Sequence, residues 1–522
     1  MSFSLLPGWP GGLAVDGLSA VLVATLAAVL VAVLMYAAGE GYGARFYVLM
    51  LLFAAAMLVT VTATDLLLLL MGWEVMGAMS YALIGYVWSD SERMQSADVA
   101  FLTTRAADMG LYAAAGFAVA GAHSLEFDAL AQAGAPWRDL IAAGVVVSAL
   151  GKSAQLPFSF WLSRAMAGPT PVSALLHSAT MVAAGAYLLM RLHPLLDATG
   201  WADTVVCWAG ALTALVLGAV ALAQRELKQV LAASTCAQIG FMVLGAGAGS
   251  VGAGTAHLVA HAAVKSLLFL GAGLWLSAQR TGRLVKVTFG VGALALAGVP
   301  PLSLWVTKDE VLTVAGDRSA GLLAVGFAAS VLSAAYAAKA LLMVVRPAEG
   351  PVARVPWPQR VPLVVLAAAA CVLGVAGLRT GVRPHVWEAV LSGVLAVITV
   401  GVVVAVRRVP EPAWAVNWLH LERAVVAGTV HPVFALARAL ARFDDRVVDG
   451  AVRGVARGGR WTAGLAGRRV EFRVDGLVAV VGRAARGLAA LARRPQTGQL
   501  HTYYAQAAVV LVVLVVVAVL AG

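Results

Sequence analysis

The sequence predicts an all-α, polytopic membrane fold, and three observations carry the prediction. Hydrophobic residues make up 61% of the 522 positions and charged residues only 12%, giving a mean hydropathy of +0.88. Many apolar runs reach the ~20 residues needed to cross a bilayer as a helix. The cations fall between these runs asymmetrically, with arginine-rich connections alternating with arginine-poor ones.

In order, the apolar pattern places fourteen spans at about 14–38, 44–63, 64–87, 97–120, 137–155, 170–192, 202–222, 227–247, 255–277, 287–314, 320–345, 360–379, 387–407 and 502–521. The first is too long for a signal-peptide core and lacks a basic start, so it reads as a retained helix. One set of alternate connections holds Arg45, Arg93, Arg164, Arg225, Arg280, Arg283, Lys286, Arg346, Arg354, Arg360, Arg407 and Arg408. The other holds only Arg138, Arg191, Arg318, Arg379 and Arg383. The richer set should face the cytoplasm, which places both termini outside. The net charge of +11 sits beside hydrophobic spans, so it points to anionic lipid headgroups and not to nucleic acid.

Two spans should be interrupted. Leu156, Pro157, Pro169 and Pro171 follow Lys152, and Pro300-Pro301 precedes Lys308. Proline removes a backbone hydrogen bond and clashes with the preceding turn. Unwound backbone is tolerated in a membrane only where protein buries it or water reaches it. Each broken span is the fourth in a run of five. Five is odd, so two such runs have opposite orientations, as in transporters built from inverted repeats. The expected organisation is an N-terminal helix (1–43), two repeats (44–192 and 193–345), two further membrane helices (346–408), a basic amphipathic segment (409–495) and an anchor helix (496–522).

Within 409–495, Val433, Leu436, Leu440, Phe443, Val447 and Val448 line one helical face. Arginines with Asp444, Asp445 and Asp449 occupy the other. A second amphipathic stretch runs from about Val470 to Leu491. Gly458, Gly459, Gly464 and Gly467 are expected to separate the two. Such a segment lies along a membrane surface or across other helices.

The chain has six lysines against thirty-one arginines, and most of the lysines sit in or beside apolar runs. Arginine stays charged, whereas a lysine withdrawn from water can give up its proton. Ionisable residues inside spans are costly and mark ion paths. By that criterion Glu74, Lys152, Lys265 and Lys308 are candidates. Arg105 and Asp108 lie three apart in one span, close enough to pair with each other. His257, His261 and Lys265 recur every four residues on one helical face. No nearby carboxylate completes a zinc site around the two histidines, so they read as a polar wire toward Lys265. His177 fits either a proton relay or a buried, hydrogen-bonded histidine. Lys228 opens its span near the cytoplasmic side, and Lys339 lies where snorkelling to the interface is expected.

Cys207, Cys236 and Cys371 each lie in an apolar run and offer neither a disulfide framework nor metal-site spacing. The GAGAGS at 245–250 ends a membrane helix instead of following a strand, so it is not a dinucleotide fingerprint. No cofactor is expected in this chain.

The stretches DLLLLLMGWEVMGAMSYALIGY, TTRAADMGLY, GKSAQLPFSFWLSRAMAGPTPVSALLHSATMVAAGAYL, ELKQVLAASTCAQIGFM, HLVAHAAVKSLLFL and TKDEVL resemble the L subunit of bacterial respiratory complex I, the proton-translocating NADH–quinone oxidoreductase. More widely they resemble the antiporter-like subunits shared with Mrp-type sodium/proton antiporters. The resemblance implies that Glu74 and Lys152 are the glutamate–lysine pair of a first half-channel. It implies that Lys228 and Lys265 are central connecting lysines, with His177, His257 and His261 as relays. Lys308 would be the terminal lysine of a second half-channel. It further implies a bacterial cytoplasmic membrane and an M-type antiporter-like partner. NAD, FMN, iron–sulfur clusters and quinone would be held or used by other subunits. The chain starts where the family's third helix would start, so two N-terminal spans are absent or the start is misassigned. The same axis would equally serve an Mrp-like cation/proton antiporter module or the membrane half of an inorganic-carbon transporter.

Overall fold

The computed structural model describes residues 2–6, 9–277, 282–346, 354–375, 380–470 and 475–522. Arg280, Arg379, the end of the twelfth predicted span and the 471–474 junction of the amphipathic segment lie outside the described residues. The chain forms two units, Met1–Ala424 and Val425–Gly522. Both are helical, apart from a short antiparallel hairpin of β1 (Ser2–Leu6) and β2 (Trp9–Gly12), which the apolar pattern does not signal.

The first unit opens with α1 (Gly17–Ala38), α2 (Ala44–Thr62), α3 (Leu66–Ile84) and α4 (Ser91–Gly121). Aspartates start three of these four. Asp16, Asp65 and Asp90 each accept a hydrogen bond from a first-turn backbone N–H, at 2.8, 2.8 and 3.1 Å, which satisfies donors a helix leaves unpaired. After the short α5 (Phe127–Leu130), α6 (Trp137–Lys152) stops at Lys152 itself. An irregular stretch leads through Pro157 to α7 (Phe160–Ala165). Then α8 (Thr170–Ser178) and α9 (Met181–Arg191) together cross the unit. They meet at a second interruption at Ala179–Thr180, which contains no proline and was not legible in the sequence.

The chain continues through α10 (His193–Thr199), α11 (Ala202–Ala223), α12 (Leu227–Gly247) and α13 (Val251–Ser277). The break anticipated at Pro300-Pro301 divides α14 (Arg283–Ala297) from α15 (Ser303–Arg318). Gly298 caps α14 at φ 80°, a conformation that disfavours a side chain, and a Cβ there would sit 3.4 Å from Lys308 Nζ. The remaining membrane helices of the unit are α16 (Ala320–Val345), α17 (Trp357–Val372) and α18 (Val386–Val406).

Every predicted span thus has a helical counterpart. Among the described residues, twelve helical segments are long and apolar enough to cross a membrane, and one of them is the amphipathic 418–465 stretch. The predicted spans missing from that set have physical reasons. The halves α6, α14 and α15 are only 16, 15 and 16 residues long, and α4 carries Glu92, Arg93, Asp98, Arg105 and Asp108.

Two helix pairs approach closely because glycine faces backbone. A Cβ on Gly144 of α6 would meet the Gly110 carbonyl of α4 at 2.3 Å, and one on Gly240 of α12 would meet the Gly210 carbonyl of α11 at 2.7 Å. Without a hydrophobic driving force in lipid, small residues allow the close packing that holds such helices together.

After α18 the chain folds back onto the connections of the bundle through α19 (Ala413–Val416) and the start of α20 (Leu421–Val425). Glu422 accepts two hydrogen bonds from Arg164, at 2.8 and 2.5 Å. Gln224 donates to the Ala415 and Val416 carbonyls at 2.9 and 3.3 Å. Glu411 lies between Lys339 at 3.1 Å and Arg225 at 2.9 Å, so Lys339 reaches the connection that follows α18. The hydrogen bonds of Lys339 and then Arg225 hold the Glu411 carboxyl below its ordinary value of 4.5. A depressed carboxyl stabilises the fold at pH above that value and loses the contribution as pH falls through its own lower one. The protection of residues 411–422 against hydrogen exchange, taken relative to the intrinsic amide rate at each pH, is therefore expected to fall on acidification below about 4.5. Glu411→Gln should exchange faster even at neutral pH, and unchanged exchange in that variant would dismiss the clamp.

In the second unit the backbone is helical without interruption over 426–470, including α21 (His431–Phe443) and α22 (Asp449–Val470), with wider π-type turns at Val426–Val430 and Asp444–Val448. The expected separation at Gly458, Gly459, Gly464 and Gly467 is corrected, because α22 runs through all four. A glycine costs a helix only about 1 kcal/mol, less than a long amphipathic face can offset. α23 (Asp475–Arg493) and α24 (Leu500–Ala521) complete the unit, the last coinciding with the predicted final span at 502–521.

Candidate functional site

The predicted ionisable residues gather into two buried clusters. In the first, α3, α4 and α6 converge. Lys152 is fully buried at the end of α6. Its Nζ lies 3.0 Å from Asp108 Oδ2, 3.4 Å from the Trp73 carbonyl and 5.1 Å from the centre of the Trp73 ring. Trp73 Nε1 donates to Asp108 Oδ1 at 2.6 Å, and Ser148 Oγ donates to the same oxygen at 3.3 Å. A buried charge persists only when paired and hydrogen-bonded, and here both partners meet that condition.

This arrangement corrects two expectations. The carboxylate on Lys152 is Asp108, not Glu74. Arg105 and Asp108 do not pair with each other either, since Arg105 forms an ion pair with Glu74. That pair is about one-third exposed on Arg105 and one-quarter on Glu74, whereas Asp108 and Lys152 are sealed inside. Residues three apart share a face but diverge by part of a turn. On α4 that divergence sends Arg105 toward α3 and Asp108 toward α6.

The second cluster crosses the repeats. His177 of α8 is fully buried and stacks on Phe269, with ring centres 5.2 Å apart. Among the described residues, no group hydrogen-bonds either of its nitrogens. His261, one turn from Lys265, lies beside the Ser178 backbone but forms no well-shaped hydrogen bond with the described residues. His257 Nδ1 is 3.1 Å from Thr307 Oγ1. Lys265 Nζ donates to the Leu231 carbonyl at 2.9 Å and to Ser234 Oγ. Unpaired polar groups are expensive in a dry interior, so this row of imidazoles is chemically suited to bridging water.

The row reaches Lys308, whose Nζ donates to Leu296 O at 2.9 Å and to Ser333 Oγ at 2.8 Å. Tyr336 and Gln238 both donate to Ser333, at 3.1 and 2.9 Å, and Gln238 also donates to Tyr336 at 2.6 Å. Leu296 belongs to the last turn of α14, so the interruption supplies the free carbonyl that receives the ammonium. Among the described residues, Lys265 and Lys308 have no carboxylate in hydrogen-bond contact; lone-pair oxygens of carbonyls and hydroxyls take that place. Sequence reading missed Ser333, Tyr336, Gln238, Ser148 and Trp73. Of these only Trp73, adjacent to Glu74, and the one-turn spacing of Ser333 and Tyr336 offered a signal.

Lys228 lies apart from mid-bundle. It donates to the Met166 and Gly168 carbonyls at 3.2 and 3.0 Å, and it lines a cavity of about 920 Å³ with Glu40, Asp90, Arg93 and Arg354. Those residues belong to or adjoin the arginine-rich connections, so this polar recess lies on the side predicted to be cytoplasmic.

Two half-bundles with broken helices, a buried lysine at each break and a row of titratable groups between them define the class: an all-helical, polytopic membrane protein with ionisable groups inside its bundle. The chain belongs to the family described as NADH:quinone oxidoreductase/Mrp antiporter, TM, which it matches over residues 63–333. It is 35% identical over 371 residues to the NAD(P)H-quinone oxidoreductase chain 5 of a Picosynechococcus species, covering 62% of this chain and 54% of that protein. It is also 35% identical to the NADH-quinone oxidoreductase subunit L of Campylobacter jejuni, covering 66% and 61%. The chain thus spans about half the length of the curated relatives it matches. A structure of the Mrp complex from a Dietzia species is similar at a TM-score of 0.70 and 26% identity, over 95% of this chain and 58% of that one.

Proposed function

We propose that this chain is the proton-translocating, L-type membrane subunit of an NADH–quinone oxidoreductase, driven by redox chemistry in other subunits. One observation carries the reading: a buried Lys152–Asp108 ion pair in one repeat and a row of buried imidazoles and amines that leads across the repeats to Lys308. An ammonium beside Asp108 is held by its counter-charge. A conformational change that withdraws that carboxylate frees a proton to move along His177, His261, Lys265 and His257 to Lys308. Arg105, paired with Glu74 three residues from Asp108, is placed to compete for that carboxylate. Each proton moved against 100 mV requires ~2.3 kcal/mol, so a driver outside this chain is needed. NAD, FMN, iron–sulfur clusters and quinone belong to that driver, with an M-type antiporter-like subunit as the neighbour in the membrane.

The likeness to the Mrp complex over 95% of the chain supports a second reading, an antiporter module or an ion-coupled inorganic-carbon transporter without redox chemistry. Mild-detergent purification of the native assembly separates the two. Flavin- and iron–sulfur-containing subunits are expected to copurify and to show NADH oxidation. A complex holding only further membrane subunits would refute the redox reading and favour the second.

A further inference from the structure

The row of titratable groups does not end at Lys308. The next residue, Asp309, is 2% exposed and lies against Ser392 of α18. Lys308, Asp309 and Ser392 line one small cavity of about 10 Å³, room for a single water. One turn further along α15, the Thr313 hydroxyl lies 2.9 Å from the Asp309 backbone carbonyl and 2.7 Å from Glu388 Oε2 of α18, and its one proton serves either oxygen. Glu388 is 4% exposed. His385 Nδ1 lies 3.6 Å from Glu388 Oε2, and its side chain is 58% exposed on the face opposite the arginine-rich connections. Burial therefore falls to open surface in three side chains. α18 lies outside both predicted repeats and outside the 63–333 region shared with the family.

We propose that Asp309, Glu388 and His385 form the outward proton exit of the second repeat, with Glu388 of α18 as the carboxyl through which each proton leaves; this rests on the proton-translocating function proposed above. In the step, an N–H bond of the Lys308 ammonium breaks and an O–H bond forms on Asp309 through the cavity water. The proton passes to Glu388 and then to His385, which releases it outside, and the neutral Lys308 amine regains a proton from the His257 side. The competing role for Glu388 is purely structural, because a carboxylate in the first turn of a helix interacts favourably with that helix's N-terminus. Such a role needs no burial, no Thr313 and no protonation.

The test uses the full chain in liposomes, with proton uptake driven by a potassium diffusion potential and read by an internal pH dye. Glu388→Gln keeps an acceptor for Thr313 but cannot carry a proton. It is expected to slow uptake about tenfold or more, while Glu388→Asp keeps most of it. Lys308→Met is run beside them. Normal flux in Lys308→Met refutes the translocation reading itself. A blocked Lys308→Met with normal flux in Glu388→Gln overturns only the exit. If Glu388→Gln fails to accumulate, the parent chain decides through dicyclohexylcarbodiimide, which modifies carboxyls that become protonated. Labelling of Glu388 with loss of flux supports the exit. Labelling without loss, or a Glu388 that never reacts, overturns it.

Discussion

Methionine in place of Lys152 is expected to abolish proton translocation while leaving the protein folded and inserted. The asymmetry follows from the partners around the pair. Without the amine, Asp108 keeps Trp73 Nε1 at 2.6 Å and Ser148 Oγ at 3.3 Å, so these neighbours on α3 and α6 hold it in place and little stability is lost. Asp108→Asn is the harsher change for the fold. It leaves a buried ammonium with only a carbonyl at 3.4 Å and an aromatic face, and breaking a buried pair from one side costs ~3–5 kcal/mol. Both variants should lose pumping, and only the second should also accumulate poorly. Proton uptake by inside-out vesicles, set against the amount of chain in the membrane, reads both effects. Normal uptake by Lys152→Met would end the assignment of this lysine.

Leucine in place of Gly144 should be at least as damaging, but through packing. Its Cβ alone would sit 2.3 Å from the Gly110 carbonyl and 3.0 Å from the Ala114 Cβ, so α4 and α6 must move apart. Overpacking typically costs about 1–3 kcal/mol, and here the displaced helices are the two that carry Asp108 and Lys152. Loss of thermal stability and loss of translocation are therefore expected together. Gly116, also on α4, has no described atom within 4 Å of where a Cβ would stand, so Gly116→Leu is the control and should be tolerated. Equal melting temperatures for the two detergent-purified variants would exclude close helix approach as the cause.

Much of this protein is legible without its structure, and particular residues show why. Breaks at Lys152 and at Pro300-Pro301 were readable because proline acts on its own backbone. The helical spans were readable because lipid imposes length and apolarity on each segment separately. The interruption at Ala179–Thr180 left no trace, since neither residue forbids a helix and tertiary packing decides the turn. Glycine misled in the opposite direction in α22, where its modest local cost does not stop the helix. The hairpin at the N-terminus was likewise invisible beside the apolar signal that follows it.

For the site the division is sharper. The sequence by itself singled out Lys152, Lys265, Lys308 and the three histidines, because a titratable group in an apolar run is conspicuous wherever the helices go, but it passed over the buried Asp309 and Glu388. Only the tertiary structure decided their partners. Asp108 and not Glu74 meets Lys152, Arg105 turns to Glu74, Lys228 borders the polar recess, and Glu388 comes from a distant helix to the end of the row. Burial is set by nearest neighbours along a helix, whereas pairing depends on the rotation of one helix against another. A modest turn of that rotation, invisible in one dimension, chooses which oxygen a buried amine finds.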